Sequence, residues 1–82
     1  MSLILYTRHG CHLCEDFEQE LQRQQLLLGF ELQTRNVDAN PDWVMRYNDK
    51  VPLLLAHDQE TEICRYFLDP QALRSYLPTD FA

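Results

Sequence analysis

The sequence predicts one α/β domain, residues 1–82, in the element order βαβ, then a short helix, then ββα. Two apolar runs of strand length, residues 3–7 and 51–56, are separated by a stretch whose apolar residues recur at helical spacing. Two later segments, Asn40-Pro41 and Asp69-Pro70, place a capping side chain before a proline, which is typical of helix starts. A chain of 82 residues has room for one core. We therefore expect a four-stranded mixed sheet flanked by helices.

The first strand and the first helix are predicted to meet at a tight turn. Residues 3–7 form a continuous apolar run, which indicates a buried strand, and Gly10 allows the turn that follows. Beyond the turn, Gly29 is the expected C-terminal cap of an amphipathic helix. The buried stripe of this helix is predicted to contain Leu13, Phe17, Leu21 and Leu28.

The middle of the chain predicts a second strand and a short helix. Residues 30–37 alternate at first between apolar and polar side chains, as a half-buried strand does. Asn40 is then the expected N-cap and Pro41 the first helical residue, with the helix ending near Asn48. A strand, helix and strand of this length form a right-handed unit with parallel strands.

The second half predicts a hairpin and a last helix. Residues 51–56 indicate a buried strand that begins at a proline, and residues 57–60 a polar turn. Residues 61–67 should form the fourth strand, which contains Cys64 at an expected core position. A helix after Asp69-Pro70 should end at Pro78.

Composition and charge exclude several classes of function. The chain has 13 acidic and 7 basic residues, a net charge of −6, which argues against binding nucleic acid through phosphate contacts. No apolar run approaches the roughly 20 residues of a membrane span. The first residues lack the basic region of a signal peptide, and three cysteines do not make a secreted disulfide framework. We expect a cytoplasmic protein without nucleic-acid or membrane partners.

The most informative motif is Cys11-His12-Leu13-Cys14, between the first strand and the first helix. A helix start presents unpaired N–H groups and about half a unit of positive charge. A thiolate held there is stabilised, so the pKa of its thiol falls. We therefore predict that Cys11 is an exposed nucleophile. Cys14, one turn into the helix, should be the more buried resolving thiol.

Two segments resemble glutaredoxins. Residues 6–14 resemble the glutaredoxin strand and active-site loop, and Lys50-Val51-Pro52 resembles a Thr-Val-Pro segment whose proline follows a cis peptide bond. Over nearly its whole length the chain is similar to small bacterial glutaredoxin-like proteins of the thioredoxin fold. The resemblance implies a thiol–disulfide oxidoreductase with no resident cofactor, and nothing in the sequence demands more than a monomer. Its substrate would be a disulfide-containing protein or a glutathione mixed disulfide, with glutathione as a candidate co-substrate.

The same resemblance implies substrate-binding residues. Val51 would pair its backbone with an extended peptide or glutathione, and Pro52 would face the cysteine pair. Arg8 stands where many glutaredoxins have a lysine that meets a glutathione carboxylate. Apart from the resemblance, His12, when protonated, would stabilise the thiolate, whereas the negative charges of Glu15 and Asp16 in the same turn would destabilise it. The Gly-Gly segment that binds the other end of glutathione is absent, since residues 64–69 read Cys-Arg-Tyr-Phe-Leu-Asp.

Two alternatives from other classes remain. The cysteines and nearby histidines are ligands that Zn²⁺ prefers, and some glutaredoxins bridge a [2Fe–2S] cluster between monomers. The ligand set would come from His9, Cys11, His12, Cys14 and Cys64. The third hypothesis is a non-catalytic module that uses its groove to bind proteins. We predict no metal site, because structural zinc sites have two well-spaced ligand pairs and the sequence has one.

Overall fold

The computed structural model describes residues 2–77, and their secondary structure follows the predicted order. Between the second strand and the second helix lies one 3-10 turn, Val37–Ala39, which was not predicted from the sequence. Pro78, the expected end of the last helix, lies outside the described residues. The elements are β1 (Ser2–Thr7), α1 (His12–Leu28), β2 (Glu31–Asn36), α2 (Pro41–Tyr47), β3 (Leu53–Ala56), β4 (Glu62–Arg65) and α3 (Pro70–Tyr76).

The four strands form one mixed sheet in the order β2-β1-β3-β4. β1 runs parallel to β2, with Thr7 opposite Asn36 at their carboxyl ends. β1 is antiparallel to β3, and β3 is antiparallel to β4. The predicted mixed sheet flanked by helices is therefore confirmed within residues 2–77.

β1 is buried because both faces of the sheet are covered. Leu3 and Leu5 face a core cluster that includes side chains of α1 and α3. Ile4 and Tyr6 face a second cluster, to which α2 contributes Trp43 and Tyr47. A strand covered on both faces has a continuous apolar sequence rather than an alternating one. Burial on both faces therefore explains why residues 3–7 form a continuous apolar run.

The predicted helix caps are confirmed. Asn40 Oδ1 accepts the N–H of Asp42 at 2.9 Å. Asp69 Oδ1 accepts the N–H groups of Gln71 and Ala72. Gly29 caps the end of α1 with a φ of 74°, a left-handed conformation that glycine adopts without strain. These local signals set where the helices begin and end.

Some predictions about element bounds and burial were wrong. The third strand was expected over residues 51–56, but it spans Leu53–Ala56. Leu13 was expected in the buried stripe of α1, but its side chain is 40% exposed because it lies in the first turn, beyond the cover of the sheet. The fourth strand was expected over residues 61–67, but it spans Glu62–Arg65. It stops there because Tyr66 has a φ of 67°, which an extended strand cannot contain.

The hairpin between β3 and β4 is closed by Asp58. Its carboxylate accepts the N–H groups of Glu60 and Thr61, both at 2.9 Å. These hydrogen bonds lower the pKa of Asp58 to about 2, and the bond from the Thr61 N–H has the largest effect.

Within residues 2–77, no helix has the length and apolar character that crossing a membrane requires.

Candidate functional site

Cys11 is the N-cap residue of α1. Its backbone is extended, with φ −101° and ψ 112°, and its Sγ accepts the N–H of Cys14 at 3.1 Å. The carbonyl oxygen of Cys11 accepts the N–H of Glu15 at 3.0 Å, which closes the first helical turn. The sulfur therefore receives one of the N–H groups that a helix start leaves unpaired, and it lies at the positive end of the helix dipole.

Cys11 and Cys14 form a disulfide, with their Cα atoms 5.1 Å apart. Cys11 is half-buried, whereas Cys14 is 3% exposed and belongs to the core. Gly10, with a φ of 77°, makes the turn that brings the chain from β1 to this pair. The two exposures follow the predicted order. The roles of nucleophile and resolving thiol stay predictions.

Arg8 lies directly after β1 and is bound to the protein itself. Its Nε and Nη2 donate to the two carboxylate oxygens of Asp38, each at 3.1 Å. Nη2 also donates to Oδ1 of Asn48 at 2.7 Å, and Nη1 donates to the Asn48 carbonyl at 3.3 Å. Arg8 thus joins the end of β1 to the 3-10 turn and the end of α2. Its predicted contact with a glutathione carboxylate stays a prediction.

Asp38 and Asn48 support this loop, and neither was expected to do so from the sequence. A usable signal exists for Asp38, because β1 and β2 are parallel and their carboxyl ends meet at one edge of the sheet. Arg8 follows one of these strands directly and Asp38 follows the other closely. Asn48 offered no such signal, since its position depends on how α2 packs.

We expect Arg8→Ala to lower the free energy of unfolding by about 1–2 kcal/mol, since a bidentate ion pair with further hydrogen bonds is lost from a side chain that is 31% exposed. Urea unfolding of Arg8→Ala, Asp38→Ala and the double variant should give a coupling of about 1 kcal/mol. The matched control is the pair Arg23–Glu20 on α1, for which about 0.3–0.5 kcal/mol is expected. Equal couplings for the two pairs would contradict a supporting role for Arg8.

Val51 and Pro52 lie directly before β3. Leu53 pairs with Tyr6, so Pro52 lies beside the carboxyl end of β1, from which residues 8–10 lead to Cys11. The Val51–Pro52 peptide bond is cis, and the Pro52 carbonyl accepts the N–H of Tyr66 at 2.8 Å. Pro52 is buried and Val51 packs against the second core cluster. Their substrate-binding roles stay predictions.

The remaining chemistry-bearing residues are dispersed. His12 is almost fully exposed, with its Nδ1 4.0 Å from Glu15 Oε2, and His9 is exposed in the loop. Cys64 is half-buried in β4, where burial raises the pKa of its thiol. Within residues 2–77, no three His, Cys, Asp or Glu side chains come together to hold a metal ion.

Comparisons with known proteins agree with this geometry. A family model described as a glutaredoxin-like domain (DUF836) matches residues 2–78. Protein Ne2328 from Nitrosomonas europaea is 42% identical, and the match covers 94% of this chain and 91% of that chain with a TM-score of 0.81. Protein XcR50 from X. campestris is 30% identical over 98% of this chain and 97% of that chain, with a TM-score of 0.67. No curated protein matches this chain significantly.

A more distant likeness concerns the fold alone. Thioredoxin 1 from Thermosipho africanus TCF52B is 18% identical, covers 93% of each chain and has a TM-score of 0.66. The predicted thioredoxin fold is therefore confirmed, with the disulfide of Cys11 and Cys14 at the start of its first helix.

Proposed function

This chain belongs to the glutaredoxin-like domain family (DUF836), and from that premise we propose that it is a thiol–disulfide oxidoreductase that acts through Cys11 and Cys14. One observation carries the proposal. The Sγ atom of Cys11 caps α1 and accepts the N–H of Cys14, while Cys14 itself is buried. A hydrogen bond to the charged form of a group favours that form, so the reduced Cys11 should ionise readily.

The reaction begins from the reduced pair. The Cys11 thiolate attacks one sulfur of a substrate disulfide, whose S–S bond breaks as the mixed disulfide forms, and the leaving thiolate takes a proton from solvent. Cys14, after losing its proton to solvent, then attacks Cys11 Sγ, and the second substrate sulfur leaves as a thiolate that takes a proton from solvent. Two electrons and two protons pass in all from the dithiol to the substrate. The protein is left with the Cys11–Cys14 disulfide, the state that the structure contains.

The reductant that restores the dithiol is a thiol. Two thiols of the glutathione class each contribute one electron and one proton and become joined in a disulfide. The proposed substrates are a disulfide-containing protein or a glutathione mixed disulfide. A dithiol that must be reduced again fits the cytoplasm, where glutathione and thioredoxin keep thiols reduced. We propose a monomer for this activity, since both sulfurs come from one chain.

We expect the thiol of reduced Cys11 to have a pKa below that of free cysteine, roughly 8.5, because the helix start stabilises its thiolate. The measurement is the ultraviolet absorbance of the thiolate as a function of pH in the Cys14→Ser variant. Cys64 is the internal reference, because burial raises the pKa of its thiol. Two thiols that both titrate at or above the free value would contradict the proposal.

A titration of the pair against glutathione redox buffers separates the other hypotheses. Mass spectrometry should detect a reversible Cys11–Cys14 disulfide and a glutathione adduct on Cys11. Stoichiometric metal in the purified protein, without a reversible disulfide, would favour the metal-binding alternative. Unreactive thiols without metal would favour a non-catalytic binding module.

A further inference from the structure

A groove of about 190 Å³ lies between α1 and the segment that joins β4 to α3. Five of the seven residues that line it are apolar or aromatic: Leu13, Phe17, Tyr66, Phe67 and Leu68. Leu13 stands between the two cysteines in sequence, in the first turn of α1. The groove therefore reaches the first turn of α1, where the cysteine pair lies, although neither cysteine lines it.

The walls of the groove expose large apolar side chains to solvent. Phe67 is 71% exposed and Leu13 is 40% exposed. Tyr66 is also exposed. A cluster of exposed apolar side chains, unlike a single one, is typical of a binding surface.

Tyr66 is held in a conformation that a glycine would adopt without strain. Its φ is 67°, in the left-handed region that side chains other than those of Asn and Asp rarely enter. Its N–H donates to the Pro52 carbonyl at 2.8 Å, and its hydroxyl donates to the Asp49 carbonyl at 2.7 Å. These bonds fix one wall of the groove in place. Strained backbone conformations are concentrated at functional sites, so the conformation of Tyr66 favours a function for this surface.

The charged residues of the groove are acidic. Asp16 and Glu20 line it beside the apolar walls, and among residues 2–77 no basic side chain does so. The Glu20 carboxylate forms an ion pair with Arg23 at 3.0 Å. Asp16, by contrast, has no ion-pair partner among residues 2–77. The chain as a whole carries a net charge of −6. The groove therefore complements an apolar group that has a positive charge next to it.

We propose that this groove selects the protein substrates of the disulfide exchange, by receiving a large apolar side chain near the substrate cysteine while a neighbouring lysine or arginine faces Asp16. The inference rests on the proposed function and names its substrate class. Free glutathione has neither a large apolar side chain nor a lysine or arginine, so it gains nothing from the groove.

The test uses four peptides, each with one cysteine held as a mixed disulfide with 2-mercaptoethanol. The residues beside the cysteine are Leu or Ser on one side and Lys or Glu on the other. With dithiothreitol as reductant, we expect the wild type to prefer Leu over Ser by about tenfold in kcat/KM, as burial of one apolar side chain gives. At low salt, Lys should be preferred over Glu by about threefold, less at physiological salt.

Two variants remove the two kinds of contact. Phe67→Ser should reduce the Leu preference to about twofold or less, and Asp16→Asn should abolish the Lys preference while the Leu preference remains. Leu13→Ser is a second variant of the apolar wall, for use if Phe67→Ser does not fold. The matched control is Met45→Ser on α2, which removes a side chain that is 84% exposed and belongs to no wall of the groove. This control should keep both preferences.

The failure of this inference can be told from the failure of the proposed function. Reduction of bis(2-hydroxyethyl) disulfide together with equal rates for all four peptides would overturn the groove proposal and leave the oxidoreductase standing. No reduction of any disulfide by the wild type would overturn both. Preferences that survive in Phe67→Ser and Leu13→Ser would also overturn the assignment to this groove.

Discussion

The Cys11→Ser variant is expected to fold like the wild type and to lose disulfide reduction by about three orders of magnitude or more. The fold is retained because serine is a better N-cap than cysteine, and its Oγ can accept the Cys14 N–H that Cys11 Sγ accepts at 3.1 Å. Activity is lost because a serine hydroxyl stays protonated at neutral pH and does not attack disulfides. Rates with a small disulfide and urea unfolding curves measure the two effects separately.

The Cys14→Ser variant should stop the reaction one step later. Cys11 still attacks the substrate, but no second sulfur releases it, so the mixed disulfide on Cys11 accumulates and is visible by mass spectrometry. Cys64→Ala is the matched control, since it removes the remaining cysteine, which lies in β4 outside the disulfide. The control should keep its activity. If the Cys11 and Cys14 variants both keep full activity, or if the substrate is trapped on Cys14, the assigned roles are wrong.

Much of the fold could be predicted because its determinants are local. The apolar runs of β1 and β3 and the caps Asn40 and Asp69 act within a few residues of where they stand. The end of β4 could not be predicted in this way. Tyr66 leaves the strand for a left-handed conformation whose hydrogen-bond partners, Pro52 and Asp49, lie on another segment.

In the candidate site too, local features could be predicted from the sequence, whereas contacts that depend on packing could not. Cys11 and Cys14 could be predicted because the pair and the helix start that positions it are adjacent in sequence. The partners of Arg8 could not, since Asn48 is 40 positions away and reaches it only after α2 has packed against the sheet. Leu13 was predicted to lie in the core because helical spacing places it on the apolar face of α1. Spacing alone does not show how far along the helix that face is buried, and Leu13 is 40% exposed.

Packing of α2 depends on Tyr6, and Tyr6→Ala is expected to lower the free energy of unfolding by about 4 kcal/mol. Tyr6 is 1% exposed, and its ring stacks on Tyr47 with the centroids 4.3 Å apart. It also meets Trp43 edge-on at 5.6 Å. The substitution leaves a cavity where these rings meet and removes the aromatic pairs. A domain of this size has a free energy of unfolding of about 5–10 kcal/mol in total, so the substitution would remove a large fraction of it.

Tyr6→Phe separates the ring from its hydroxyl group. The hydroxyl oxygen accepts a hydrogen bond from Arg35 Nη1 at 2.9 Å, and its loss should lower the free energy of unfolding by about 1 kcal/mol. Met45→Ala, on the exposed side of α2, should change it by about 0.5 kcal/mol or less. Urea unfolding measures all three variants. If Tyr6→Phe is as damaging as Tyr6→Ala, the contribution of Tyr6 comes from its hydrogen bond with Arg35 rather than from ring packing against α2.

The Tyr6→Ala substitution should also affect the loop that leads to the cysteine pair. Asn48 at the end of α2 accepts two hydrogen bonds from Arg8, the residue that begins the loop leading to Cys11. If α2 loosens in Tyr6→Ala, this support weakens before the whole domain unfolds. We therefore expect hydrogen exchange in Tyr6→Ala to increase first in α2 and residues 8–10, while α1 and β3 stay protected. Uniform loss of protection across the sheet would mean that α2 and the loop unfold only with the rest of the domain.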